Sequence, residues 1–372
     1  MSAGDGGSLP AAAELSRYAR EQLGRSARKA APRTSHAEWE PASGREDPVE
    51  LLQAQALTRV PELVPIRYGR MLASPFAFFR GAALLMAADL ASTPSSGLQV
   101  QACGDAHLSN FGGFASPERE LVFDLNDFDE THPGPWEWDV KRLAASVEIA
   151  ARARGAAQAE RRRLVTGSVR RYREAMRTFA TMGNLDVWYS TLGTRTLRTA
   201  MAGIKGGARR ELEQGVSAAS EKATSKDRMR ALRKLTTVVE GELQMVSDPP
   251  MIVRAADLLP AGEERSLRGR LQHLLDEYLA SLQGDRRRLL EGYRFVDLAR
   301  KVVGVGSVGT RCWILLMEGR TAERDPLLLQ FKEAERSVLE RFTTDCEVCC
   351  RPFEVFVECE PGEILSLDVA GN

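Results

Sequence analysis

The segment from Val100 to Leu143 gathers carboxylate, amide and imidazole side chains at spacings suited to metal and phosphate chemistry. Gly104-Asp105 is followed by Asn110, and Asp127 and Asp129 come after an apolar run, Leu121-Val122-Phe123. A short apolar run bounded by charged and glycine-containing pieces predicts a buried strand that delivers polar groups at both ends. Carboxylates and an amide converging there suit Mg²⁺, which takes one or two carboxylates together with phosphate oxygens. The plainer alternative is that Asp124, Asp127 and Asp129 cap turns, which Asp and Asn favour on their own account. A third reading gives Asp105, His107, Asp127 and His132 to a metal-dependent hydrolase with imidazole bound to the metal.

A second stretch with chemical potential runs from Asp297 to Ala334. Gly304-x-Gly306-x-x-Gly309 directly follows Val302-Val303. A dinucleotide-binding fold would need a helix after the glycines. The glycines lead instead into the β-prone run Cys312-Trp313-Ile314-Leu315-Leu316, then a polar turn, then Leu327 to Phe331 ending in Lys332. The plain reading is a β-meander with glycine in its turns.

Cys103-Gly104-Asp105 with Asn110, then Asp127-Phe128, Pro133-Gly134-Pro135 and Trp138-Asp139-Val140, resembles the catalytic and metal-binding loops of the protein-kinase-like phosphotransferases. The aminoglycoside and choline kinase branch is the nearest in pattern. The resemblance implies an ATP- and Mg²⁺-dependent enzyme in which Asp105 orients the acceptor hydroxyl. Asn110 and Asp127 would hold Mg²⁺, with Asp129 or Asp124 in support. Gly304, Gly306 and Gly309 would cover the ATP phosphates, and Lys332 would pair with them. Cys103 stands where that group has His, which leaves a non-catalytic nucleotide-binding module as an alternative. The glycine turn and lysine come after the loop here and before it in that group, so the resemblance implies a circularly permuted kinase-like fold. The same loops, with Ser-Pro-Phe-Ala-Phe-Phe-Arg-Gly-Ala-Ala at Ser74 to Ala83, also resemble an uncharacterised bacterial family, domain of unknown function 2252. That resemblance spans about Arg67 to Glu340 and brings no reaction with it.

The elements that must position these residues are mainly helical, in an α+β chain of 372 residues, long enough for one large or two smaller domains. Basic and acidic residues balance at 51 each, so bulk charge gives no reason to expect nucleic acid or an anionic membrane as partner. No apolar run is long enough to span a bilayer, and the N-terminus lacks the apolar core of a secretory signal. Six cysteines in a chain of this size fit a reducing cytoplasm better than a disulfide framework. The expected partners are a nucleotide and a small-molecule acceptor.

Four regions are expected. Residues 1–48 are rich in Ala, Ser, Gly, Arg and Pro and predict a disordered tail, with room for a short helix near Ala11 to Gln22. Residues 49–296 form a helical, catalytic-lobe-like region containing the 100–143 loop. Within it Ser74-Pro75 predicts a capped helix start, and Arg80 on that helix is either a surface residue or a phosphate-side cation. Trp136 to Arg154 is amphipathic, with Asp139 either capping its first turn or bracing the loop. Helices are also expected over Ala159 to Met182, whose arginine-rich face reads as solvated, and over Ser266 to Tyr293. Residues 297–341 make the glycine-turn β lobe, with Asp127 the first-choice partner for Lys332 and Glu335 the local alternative. Residues 342–372 hold Cys346, Cys349, Cys350 and Cys359 and read as an altered or truncated end, with zinc binding the weaker option.

Overall fold

The computed structural model describes residues 15–116, 120–193, 233–320, 325–333 and 337–339. It also describes isolated positions between 194 and 232, and the backbone of two strands near the C-terminus. The architecture is a mixture of α and β in which helix outweighs strand.

The N-terminal segment departs from expectation. Residues 1–14 lie outside the described residues, but α1 (Arg17–Ala30) starts where the Ser16 hydroxyl accepts the Ala19 amide. Ala27 and Ala31 are buried. Farther along, Arg45 donates twice to the Asp89 carboxylate, at 2.6 and 3.1 Å, and the Trp39 indole donates to the Asp89 carbonyl. Composition predicted disorder because large apolar side chains are scarce. The segment docks instead through small alanines and polar contacts, which a hydrophobicity argument does not register.

The helical part continues with α2 (Pro48–Ala56), α3 (Val64–Met71), α4 (Pro75–Arg80) and α5 (Ala83–Ala91). Asp47 caps α2, and Ser74 caps α4 with Pro75 at the first helical position, as the local chemistry requires. Two antiparallel ribbons carry the central loop: β1 (Gln99–Ala102) pairs with β4 (His132–Pro135), and β2 (Phe111–Ala115) pairs with β3 (Leu121–Leu125). The expectation that β3 is a buried strand is corrected, since only Leu121 is buried and Phe123 is exposed. Its partners explain this, because Phe123 and Asp124 face Gly113 and Gly112, which offer no side chain to pack against. Helix α6 (Trp136–Ala153) then crosses the core, and α7 (Gln158–Phe179) packs along it before α8 (Asn184–Trp188).

The remainder is built on a sheet. After the hairpin of β5 (Thr236–Val239) and β6 (Glu242–Met245), β7 (Ile252–Arg254) opens a four-stranded antiparallel sheet. That sheet has the order β10-β9-β8-β7, with β8 (Arg294–Lys301), β9 (Cys312–Glu318) and β10 (Pro326–Lys332). Helices α9 (Ala255–Leu258), α10 (Ala261–Ser281) and α11 (Gly284–Leu290) fill the interval. Leu267, Leu271 and Leu275 recur every fourth residue of α10 and pack on Leu298, Leu315 and Met317 of the sheet. The alternate residues Ile314 and Leu316 point to the opposite face, onto Leu235 and Met245. The expected boundary at 297 is therefore misplaced: it falls inside β8, and the helix assigned to the catalytic lobe is the cover of the sheet. The helix expected over Ser266 to Tyr293 is likewise two, interrupted at Leu282, whose ψ is 151°.

Among the described residues, apolar packing joins the sheet to the helical part at two places. Val60, Leu63, Val302 and Val308 form a shared apolar cluster, with Val60 N donating to Gly309 O at 2.8 Å. Beyond β10, Val338 and Leu339 enter the helical core beside Leu84, Ala102 and Trp138. At the far end β11 (Glu354–Glu360) and β12 (Glu363–Ala370) pair antiparallel. Cys346, Cys349 and Cys350 lie outside the described residues, as does the side chain of Cys359.

Replacing Asp89 by Ala removes the carboxylate to which the exposed Arg45 guanidinium donates, a pair that solvent screens. Limited proteolysis of that variant is expected to cleave within 39–45 faster than in the parent, with the melting midpoint nearly unchanged. Unaltered cleavage would show that the segment docks by other contacts.

Candidate functional site

The site is built on the first turns of α6. Asp139 accepts the backbone amides of Cys103 at 2.7 Å and Gly104 at 3.0 Å, and it makes no cap bond to its own helix. Of its two expected roles, bracing the loop is the one observed. Burial raises its carboxyl above the ordinary range, while the two amides oppose the rise. Gly104 has φ +78°, and a Cβ there would stand 2.1 Å from the Glu130 carbonyl oxygen, so no other residue fits this turn.

One helical turn later on the same face, Arg142 reaches Asp105. Its Nε lies 2.7 Å from Asp105 Oδ1, and its Nη2 donates to the same oxygen and, at 2.9 Å, to the Phe79 carbonyl. The guanidinium also lies 4.4 Å from the centre of the Phe79 ring. Asp105 Oδ2 is left to face His107 Nε2 at 3.5 Å. Burial pushes the Asp105 carboxyl up to about 6, against the attraction of Arg142. Burial pushes the His107 imidazole down to about 4, helped by the charges of Arg142 and Arg80, so His107 is neutral near pH 7.

Asn110 ties the two loops together. Its Nδ2 donates to Asp105 O at 3.2 Å and to Asp127 O at 3.0 Å. Only its Oδ1 remains for a metal. Cys103, in the place of the expected loop histidine, packs against the same amide nitrogen at 3.5 Å. Burial pushes its thiol up to about 12, so it remains a protonated, unreactive packing group.

Lys332 arrives from the end of β10. Its Nζ lies 2.7 Å from Asp129 Oδ2 and 3.5 Å from Asp127 Oδ1. Asp129, rather than the expected first choice Asp127, is thus its nearest partner, and Glu335 lies outside the described residues. Burial works against all three charges. In Asp127 the hydrogen bond from Asp129 and the charge of Lys332 prevail and hold the carboxyl below its ordinary value. In Asp129 burial prevails, and the carboxyl is raised. Lys332 is raised, because its bond to Asp129 outweighs burial.

A cavity of about 290 Å³ brings these groups together, lined by Asp105, Asn110, Asp127, Asp129, Gly306 and Lys332 among others. Gly304 and Gly309 do not line it. They serve the turn itself, with φ +65° and +96°; Arg70 donates to the Gly304 carbonyl at 2.6 Å, and the Arg59 stem packs where a Gly309 Cβ would be. The hydrolase quartet is not assembled. His132 pairs with Ala102 across β1 and β4, and no group of three or more His, Cys, Asp or Glu side chains among the described residues is placed to hold a metal. Sequence reasoning missed Arg142, although its position three residues after Asp139 was the available signal. It also missed Glu130, whose carbonyl and carboxylate anchor Ser337 and Val338 just beyond Lys332.

The fold and site define a mixed α/β protein with an acidic cavity closed by one lysine. A family model described as an uncharacterized protein conserved in bacteria, DUF2252, matches residues 59–352, and the chain belongs to that family. No curated protein and no solved structure matches it.

Arg142→Met strands a buried carboxylate, a change that costs ~3–5 kcal/mol. Because the folded carboxyl of Asp105 already lies above its unfolded value, its contribution favours folding at low pH and is lost as pH rises through about 6. Removing the guanidinium raises that carboxyl further. Urea melts should therefore show the gap between variant and parent widening from pH 5 to pH 8. An equal gap at both would mean that Arg142 does not offset the Asp105 charge.

Proposed function

We propose that this chain is an ATP- and Mg²⁺-dependent phosphotransferase acting on a small-molecule acceptor, with a kinase-like site whose loops occur in permuted order. The observation that carries the reading is the meeting of Asp105, Asp127 and Lys332 on one cavity beside Gly306. The residues fit the groups they would have to hold. Asp127 and Asp129 offer carboxylate oxygens, Asn110 keeps one amide oxygen, and Mg²⁺ completes such a set with phosphate oxygens rather than with further side chains.

Asp105 would orient the acceptor hydroxyl through Oδ2, since Arg142 occupies Oδ1. A carboxyl near 6 is ionised at neutral pH and still basic enough to take up the proton. Lys332 would exchange its carboxylate partners for phosphate oxygens. The side chains of Lys332, Asp127 and Asp129 are partly exposed, so this exchange gives up little. Mg²⁺, when bound, supplies the neutralisation of phosphate charge on which such transfers depend. The rest is positioning by Asp139, Gly104 and Arg142.

A degenerate nucleotide-binding module is the second reading, favoured by Cys103 in the histidine position. The same residues would then bind nucleotide without transfer. No helix among the described residues is long and apolar enough to cross a membrane. We take the partners to be nucleotide and acceptor in the cytoplasm, without nucleic acid.

ATP with Mg²⁺ at a hundredfold excess over Kd should stabilise the chain by ~2.7 kcal/mol, read as a rise in melting temperature. Asp127→Ala is expected to abolish the Mg²⁺-dependent part and Asp105→Ala to retain it. Equal loss in both, or no effect in the parent, would remove the assignment. Once an acceptor is found, kcat/KM should rise with pH through about 6 as Asp105 ionises. A flat profile there would take Asp105 out of the base role.

A further inference from the structure

His107 is buried beside Asp105 and takes no part in holding metal, nucleotide or acceptor. It does not line the cavity, so it can act there only through Asp105. Its backbone is fixed on both sides. His107 N donates to the Asp105 carbonyl at 2.8 Å, and its own carbonyl accepts Asn110 N at 2.8 Å. The next amide, Leu108 N, donates to Ser146 Oγ at 3.1 Å, one turn beyond Arg142 on α6. The Phe76 ring meets the imidazole edge to face, with centroids 6.4 Å apart. Packed in this way, the imidazole presents Nε2 to Asp105 Oδ2 at 3.5 Å.

Both Arg142 donors that reach Asp105 converge on Oδ1. A guanidinium fork spread over both oxygens fixes the plane of a carboxylate. Two bonds to one oxygen leave the other free to swing about it. Among the described residues Oδ2 has no hydrogen bond, and its one ion-pair contact is His107. Nδ1 of the imidazole is closed to solvent and has no partner. A proton there would be a buried donor without an acceptor, and would leave the Nε2 lone pair facing a carboxylate oxygen. A doubly protonated ring would carry the same orphaned donor. A neutral imidazole with its proton on Nε2, aimed at Oδ2, avoids both.

We propose that His107 is a positioning residue for Asp105, whose Nε2–H holds Oδ2 in one rotational position, one lone pair toward the imidazole and the other toward the acceptor hydroxyl. The contact itself stands on geometry, whereas its purpose rests on the phosphotransferase reading. At 3.5 Å the pair is at the outer limit of a hydrogen bond, and it contracts when the acceptor docks. Arg142 anchors the carboxylate and His107 sets its rotation.

The test joins nitrogen-15 NMR of the full chain, with its histidine rings labelled, to hydrolysis of Mg-ATP. In the hydrolysis water is the acceptor, and ADP and phosphate are released. The His107 signals are those missing from the His107→Gln spectrum. At neutral pH they should show Nε2 protonated and Nδ1 unprotonated, and Asp105→Ala should abolish that preference. The opposite tautomer, or a preference unchanged in Asp105→Ala, would overturn the proposal. His107→Asn, whose amide stops at the Nδ1 position, should lower kcat about tenfold, equivalent to about 1.4 kcal/mol, with KM for ATP unchanged. His107→Gln, whose amide nitrogen reaches the Nε2 position, should recover most of that rate, and the two melts are expected to coincide. Equal loss in both variants, or no loss in either, would overturn the proposal. If the parent binds no Mg-ATP, the phosphotransferase reading fails on its own. In that case, or if the parent binds Mg-ATP without hydrolysing it, the spectra alone uphold or overturn the contact.

Discussion

The contact on which the site depends joins Lys332 to Asp129, 203 residues away in sequence, and to the nearby Asp127. It brings the end of a sheet strand to the acidic loop and closes the cavity between them. It is not what holds the two parts together. All three side chains are between a quarter and a half exposed, and pairs of this kind contribute little once solvent screening is counted. Adhesion comes instead from Val302 and Val308 on Val60 and Leu63, and from Val338 and Leu339 in the helical core. The lysine is therefore held in place by apolar packing and remains free to change partners.

Asp105 presents the opposite balance. Its burial is costly, and a buried arginine, itself held by an aromatic face and a backbone carbonyl, keeps it ionised and oriented. Asp139 fixes the backbone on which it sits, and Gly104 is the only residue that the turn beside Glu130 admits. Rigid support on one side of the cavity and an exchangeable ion pair on the other suit a reaction in which one partner is positioned and the other is bound and released.

Features governed by neighbours in sequence were readable from it. The Ser74-Pro75 start of α4, the helical course of α6 and the succession of strand, glycine turn, strand, strand and lysine all arise from local chemistry, whereas α6 buries Glu137, Trp138, Arg142 and Ser146 rather than the apolar face its spacing suggested. Features set by tertiary neighbours were not. Nothing local told that β3 would face glycines, that Gly304 and Gly309 would serve the turn while Gly306 alone reached the cavity, or that Asn110 would commit its amide to two carbonyls. The N-terminal docking was hidden because Asp89, which receives it, lies 44 residues beyond Arg45. Arg142 was legible in principle, since i and i+3 share a helix face, but only once Asp139 was known to point at the loop.

The central claim is that Lys332 faces the phosphates of a bound nucleotide. It is tested most directly with an acyl phosphate of ATP, which acylates lysines lying against its phosphate chain, combined with mass-spectrometric mapping of the modified residues. The account predicts that Lys332 is labelled and that Mg-ATP protects it, with labelling reduced in Asp127→Ala. Labelling confined to other lysines, or labelling of Lys332 that ATP does not suppress, would contradict it.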